Sequence, residues 1–148
     1  MSHYVQRRRL DYTAAQLFDL VVDVERYPEF IPWMIATRVR RRSARNIWTD
    51  LTVGLGPLRK QFSTIATLDR PHKLSITSTD PQFVKFEQRW TFAALAAGGT
   101  DVEYVVDFEF SSRLMQALMD RSFSDRAAAI VSAYVQRAGR IYGAPPGG

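Results

Sequence analysis

The sequence predicts an α+β fold: a curved antiparallel sheet of about six or seven strands wrapped around a long C-terminal helix, with one or two short helices after the first strand. Three observations predict it. Apolar residues alternate with polar ones through most of residues 47–110, the mark of strands with one wet face. The chain then changes to a broad apolar stripe of helical period running almost to its end. A capped helical stretch follows directly on the first strand-like segment.

Residues 4–12, YVQRRRLDY, read as the first strand. Thr13-Ala-Ala-Gln16 reads as a capping box, the threonine hydroxyl taking the third amide and the glutamine reaching back. Leu17, Phe18, Leu20, Val21 and Val24 follow at helical spacing, so a helix is expected over 14–24 with one buried face. Pro28 and Pro32 allow at most a short second turn after it.

From Met34 the period becomes two. Ile47, Thr49, Leu51, Val53 and Leu55 share a face in residues 47–55, and Leu58, Phe62, Ala66 and Leu68 do so in 58–68. Val84, Phe86, Trp90 and Phe92 align in 83–92, with Gln88 among them. Val102, Tyr104, Val106, Phe108 and Phe110 align in 102–110, with Glu103, Asp107 and Glu109 pointing away. Gly54-Leu55-Gly56-Pro57, Arg70-Pro71-His72, Asp80-Pro81 and Gly98-Gly99 mark the turns, so the connections are hairpins. Ser111 or Ser112 caps a last helix to about Tyr142, with Met119, Phe123, Ala127, Ile130, Val131, Tyr134, Ala138 and Ile141 as its stripe. About 30 residues of helix would be roughly 40 Å long. Gly143 and Pro145-Pro146 end it, and 144–148 read as a flexible Gly/Pro tail behind one domain over 1–143.

Composition narrows the chemistry. The 148 residues are 46% hydrophobic and 24% charged, a globular balance for one domain. With no cysteine, disulfides, thiolate metal sites and cysteine nucleophiles are excluded. No apolar run approaches the roughly 18–20 residues that span a bilayer. Strand-like sequence begins almost at once, so no leader peptide is expected and a bacterial protein is favoured over an import precursor. GLGP has a proline and no helix after it, and so fails as a phosphate loop. His3 and His72 lack spaced partners for metal or triad chemistry. No catalytic residue and no metal ligand stands out.

A one-sided sheet of this size must bury its other face, here mainly under one helix. Either Phe86, Trp90, Phe108 and Phe110 fill a solid core, or sheet and helix stand apart and leave an apolar cavity between them. The aromatic stretch YPEFIPW at 27–33 either plugs the end of that core or presents Tyr27, Phe30 and Trp33 at a cavity mouth. Met115, Leu118, Met119 and Phe123 are candidates for the opposite wall. Gln88 on an apolar face serves either a ligand oxygen or a buried backbone group. The stretch RVRRRSAR sets Arg38, Arg40 and Arg42 on one strand face, with Arg7, Arg8 and Arg9 as a second cluster. Together with a net charge of +5, they suit a solvated face, phospholipid headgroups or RNA phosphates.

VVDVERYPEFIPWM resembles the signature of the coenzyme Q-binding START-like proteins, within the polyketide cyclase/dehydrase and lipid-transport superfamily. The resemblance extends through YTAAQLFDLVVDVERYPEF, FEQRWTF and DFEFSSRLMQALMDRSF, and covers nearly the whole chain. It implies a helix-grip fold whose cavity binds ubiquinone or a related prenyl lipid in support of respiratory electron transport. The protein would be a non-catalytic binder requiring no cofactor, in the bacterial cytoplasm or peripheral on the inner face of the membrane, or matrix-side in a eukaryote. A ribosome-association toxin in the same family implies the alternative partner, the ribosome, and a cyclase or dehydratase is the third reading. No DNA partner is expected.

Overall fold

The computed structural model describes residues 2–55 and 57–143. The expected 144–148 tail, Gly56 of the turn and the facing of the Leu55 side chain lie outside the described residues. β1 (Ser2–Leu10) leads into α1 (Ala14–Val22) and a 3-10 turn (Val24–Glu29). β2 (Met34–Arg42), β3 (Asn46–Leu55), β4 (Leu58–Asp69), β5 (Lys73–Thr77), β6 (Phe83–Ala94) and β7 (Thr100–Phe110) follow as hairpin neighbours. They form one antiparallel seven-stranded sheet in the order β1-β7-β6-β5-β4-β3-β2. Two helices close the chain, α2 (Arg113–Asp120) and α3 (Phe123–Tyr142). This is the helix-grip arrangement.

The capping box forms at α1: Gln16 N–H donates to Thr13 Oγ1 at 3.1 Å and Thr13 N–H to Gln16 Oε1 at 2.9 Å. Leu17, Phe18, Leu20 and Val21 are buried by this helix, with Phe18 edge-on to Phe92 of β6. Thr13→Ala removes one of the two reciprocal bonds and is expected to lower stability by about 1 kcal/mol, read as a shift in the urea midpoint at unchanged m-value.

α3 crosses the concave face and buries Phe123, Ala127, Val131, Tyr134 and Ala138, one stripe at helical spacing. Its far end is tied to the start of the chain. Tyr12 Oη donates to the Gly143 carbonyl at 3.0 Å, and Tyr142 Oη to the Gln16 carbonyl at 2.9 Å.

Four expectations about the elements are corrected. The terminal helix is two helices, broken at Arg121-Ser122, and α3 is about 30 Å long rather than 40. The break follows from anchoring. Ser112 caps α2, and Gln116 holds it to the sheet, its Oε1 accepting from Phe110 N–H at 2.7 Å while its Nε2 donates to Ser2 Oγ at 2.8 Å. Fixed there, α2 cannot share an axis with a helix that runs back across the sheet. Ile141, expected in the buried stripe, is half exposed, while its neighbour Tyr142 makes the contact to α1.

Val84 does not share the inner face of β6. A register shift lies between Phe83 and Lys85, so Phe83 turns inward and Val84 outward, 67% exposed. A second bulge, between Val39 and Arg41, breaks the expected single face of Arg38, Arg40 and Arg42. Arg38 pairs with Asp50 and Arg41 with Trp48, while Arg42 pairs with the inward Ile47 and forms an ion pair with Glu25. Arg40 meets Asp50 at 3.0 Å and Arg41 stacks on Trp48 at 4.8 Å.

Candidate ligand-binding site

Sheet and α3 do not touch along their whole length. Where the strands splay, between the start of α3 and the β3–β4 end of the sheet, lies a cavity of about 140 Å³. Its sheet wall is a group of phenylalanines. Phe62 and Phe83 are 5.0 Å apart, Phe83 and Phe110 5.1 Å, and Phe62 and Phe86 5.4 Å. Phe108, Leu51 and Val53 complete that wall, and Met119, Phe123, Ala127 and Ile130 form the helical one.

Eight of the residues expected to meet a ligand line this cavity: Tyr27, Trp33, Phe86, Gln88, Phe108, Phe110, Met119 and Phe123. Three do not. Leu118 is 47% exposed, because α2 turns Met115 and Met119 inward, one helical turn apart, and carries Leu114 and Leu118 on its opposite side. Trp90 is 2% exposed and lies behind the cavity, its ring 4.4 Å from Tyr104 and 5.0 Å from Tyr134. Phe30 packs against α3, 5.2 Å from the Tyr134 ring and 5.2 Å beneath the Arg137 guanidinium. Met115 is buried but is not among the lining residues.

The YPEFIPW stretch is thereby divided. Pro28 sits inside the 3-10 turn, which sets Tyr27 inward and sends the chain across to β2. The Trp33 carbonyl accepts from Gly54 N–H at 2.9 Å, which pins the mouth to the β3–β4 hairpin. The approach is close there: a side chain on Gly54 would come within 3.2 Å of Ile35.

The polar groups at the cavity are few. Tyr27 Oη donates to the Val21 carbonyl, and the Tyr134 hydroxyl is hydrogen-bonded to Tyr27. Tyr104 Oη is buried without a hydrogen-bond partner among the described residues. Desolvation by burial pushes all three phenols well above their ordinary range, so they stay protonated. The one charged lining residue among those described is Arg126. Its Nε donates to Ser122 Oγ at 3.1 Å and its guanidinium lies 5.7 Å from the Trp33 ring centre.

Sequence reasoning missed Arg126 and Ile130 because each reads as an ordinary position of the last helix. It placed Phe62, Leu51 and Val53 on the inner face correctly, but only the curvature of the sheet brings them to the cavity. No carboxylate or histidine lines it among the described residues. His3 faces Asp107 across β1 and β7, and no cluster of potential metal ligands occurs among the described residues. No described helix is long and apolar enough to cross a membrane.

Known proteins share this organisation. Residues 10–134 match the family model described as polyketide cyclase / dehydrase and lipid transport. The chain is 34% identical over 144 residues to the ribosome association toxin RatA of Pseudomonas aeruginosa, a match covering 97% of this chain and 100% of that one. It is 28% identical over 144 residues to the mitochondrial coenzyme Q-binding protein COQ10 homolog B of Xenopus laevis, covering 95% of this chain and 59% of that one. The crystal structure of the Zhui aromatase/cyclase from Streptomyces sp. R1128 superposes with a TM-score of 0.83 over 99% of each chain, at 15% identity, a likeness of fold.

Proposed function

The chain belongs to the polyketide cyclase / dehydrase and lipid transport family, and from that premise we propose that it binds ubiquinone or a related prenyl lipid without transforming it, in support of respiratory electron transport. The apolar cavity carries this reading. A cyclase or dehydratase needs a positioned acid or base; the lining holds no carboxylate or imidazole among the described residues, and its acids are the buried phenols of Tyr27, Tyr104 and Tyr134. Burying apolar ligand surface there gains roughly 25 cal/mol per Å². The relative named as a coenzyme Q-binding protein supports the ligand class.

The surroundings of the mouth suit a peripheral approach to a membrane from the bacterial cytoplasm. Of the eight large hydrophobics exposed among the described residues, Ile35, Leu58, Val84, Leu114 and Leu118 sit on the elements that border the cavity. Arg59 and Arg113 are exposed on the same elements, and Arg121 is exposed at the end of α2. This set joins Arg38, Arg40 and Arg42 of β2 as candidates for contact with headgroups. Organic extraction of the purified protein followed by mass spectrometry is expected to yield a quinone or prenyl lipid. Its repeated absence, with no uptake of added quinone, would count against the reading.

A second reading is favoured by a specific observation: the relative matched along its whole length is named a ribosome association toxin. The exposed arginines of β2, Arg38, Arg40 and Arg42, then become candidates for contact with RNA phosphates. Co-sedimentation with the large ribosomal subunit at moderate salt tests it.

A further inference from the structure

A cavity of about 140 Å³ has room for one ring. Apolar cavities near 150 Å³ take up benzene, whereas sites that enclose a drug-sized molecule begin at about 300 Å³. A polyprenyl tail does not fit inside. The polar groups point to what does.

Tyr104 Oη is one of two buried side-chain oxygens without a hydrogen-bond partner among the described residues, the other being Thr37 Oγ1. Buried hydroxyls nearly always have a partner. The Gln88 amide, also at the cavity, takes part in none of the side-chain hydrogen bonds found among the described residues. The strand register brings these two groups to one place. Gln88 pairs with Val106 and Trp90 with Tyr104, so Gln88 and Tyr104 are diagonal neighbours on the same concave face. Diagonal positions are roughly 7–8 Å apart at the backbone, within mutual reach of long side chains.

The other phenols at this end are already engaged, Tyr27 with the Val21 carbonyl and Tyr134 with Tyr27. Burial keeps the Tyr104 hydroxyl protonated, and therefore a donor. A phenol O–H and an amide N–H with nothing to donate to fit an acceptor, and a carbonyl oxygen is the acceptor a ring can carry this deep. Trp33 and Arg126 border the cavity together, the guanidinium over the indole ring.

We propose that the ligand enters head first: a ring-sized carbonyl-bearing head fills the cavity, its oxygen accepting from Gln88 Nε2 and, after a small side-chain shift that uncovers the buried hydroxyl, from Tyr104 Oη, while any long tail leaves past Trp33 and Arg126. The proposal rests on the lipid-binding reading and specifies which part of the lipid the protein holds. It explains how a cavity of one ring's volume can serve a ligand several times larger.

The test uses two probes that divide the ligand, the tail-less 2,3-dimethoxy-5-methyl-1,4-benzoquinone and the tail alone as farnesol, with binding read by quenching of tryptophan fluorescence. Wild-type protein is expected to bind the benzoquinone. Tyr104→Phe is expected to weaken it about tenfold, the loss of one hydrogen bond, and Gln88→Leu to act in the same direction. Farnesol affinity should not change in Tyr104→Phe. The melting temperature of Tyr104→Phe should stay level or rise, because the substitution removes an unpaired buried polar atom. A purely structural tyrosine would lower it. Benzoquinone binding within twofold of wild type in Tyr104→Phe would overturn the proposal and leave the hydroxyl an unpaired group of the core. Equal losses for both probes would overturn it as well. Wild-type protein that binds neither probe and yields no lipid on extraction would instead sink the lipid-binding reading itself.

Discussion

Trp90→Ala is expected to lower the free energy of unfolding by roughly 3–5 kcal/mol, the range for deleting a large buried aromatic. For a chain of this length that is a fall of roughly 10 °C or more in melting temperature. The sequence offers Trp90 as a ligand contact, since it shares the inner face of β6 with Phe86 and Gln88. The structure gives it another task. At 2% exposure it stands between the sheet and α3, tilted on Tyr104 at 4.4 Å and edge-on to Tyr134 at 5.0 Å, with Phe92 stacked beside it at 6.2 Å. Alanine would leave a void ringed by three rigid rings that cannot collapse into it. Thermal and urea unfolding measure the loss. A change below about 1 kcal/mol would mean that the indole does not act as a wedge between sheet and helix.

The contrast between Trp90 and Gln88 marks how far the sequence could be read. Alternation names the face of a strand with good fidelity, and all of Ile47, Leu51, Phe62, Trp90, Tyr104 and Phe108 are on the concave side as expected. Alternation does not say where along the strand the helix touches down. Trp90 and Gln88 are two residues apart on one face, yet one is under α3 and the other faces open space. That difference depends on sheet curvature and on the axis of α3, and both are set by contacts distant in sequence, such as Tyr142 with Gln16 and Gln116 with Ser2.

The same cause explains the other misses. The bulges at Arg40 and Val84 carry no glycine or proline, so the sequence period runs unbroken through them while the facing inverts beyond the first. The break at Arg121-Ser122 is imposed by the anchoring of α2 and not by a helix-breaking residue. β5 shows only Leu74 and Ile76 on its inner face, too short a run for a period to appear. Local chemistry was legible where it acts locally. Thr13 and Gln16 form the capping box their spacing requires, and Pro28 ends the helix run within a turn. YPEFIPW lies between these cases. Its rigidity and its place at a junction follow from its residues, but the division of its rings does not. Trp33 goes to the cavity and Phe30 to α3 because the 3-10 turn ends at Glu29: a continuing turn would stack residues three apart on one side, and the two rings part where the chain leaves it for β2.

Filling the cavity should separate binding from folding most sharply. Ile130 projects from α3 into the space facing the phenylalanine wall, part-buried and lining the cavity rather than locked in the core. Ile130→Trp places an indole where a ligand ring would lie. In a packed core such an enlargement costs about 1–3 kcal/mol through strained rotamers. Here the added ring meets about 140 Å³ of space and the edges of Phe62, Phe83 and Phe86, arranged as aromatic pairs favour. Stability is therefore expected to change by no more than about 1 kcal/mol in either direction. Ligand retention is expected to fall at least about 100-fold, because the head group and the indole compete for the same volume. Ile130→Val, which enlarges the cavity slightly, should retain ligand and lose about 1 kcal/mol of stability. Uptake of added quinone and thermal unfolding, measured on the same preparations, give both quantities. If Ile130→Trp binds quinone as wild type does, the ligand does not occupy this cavity. If it loses binding and stability in proportion, the space is a packing defect of the core, and the function must be sought on the outer surface of the sheet.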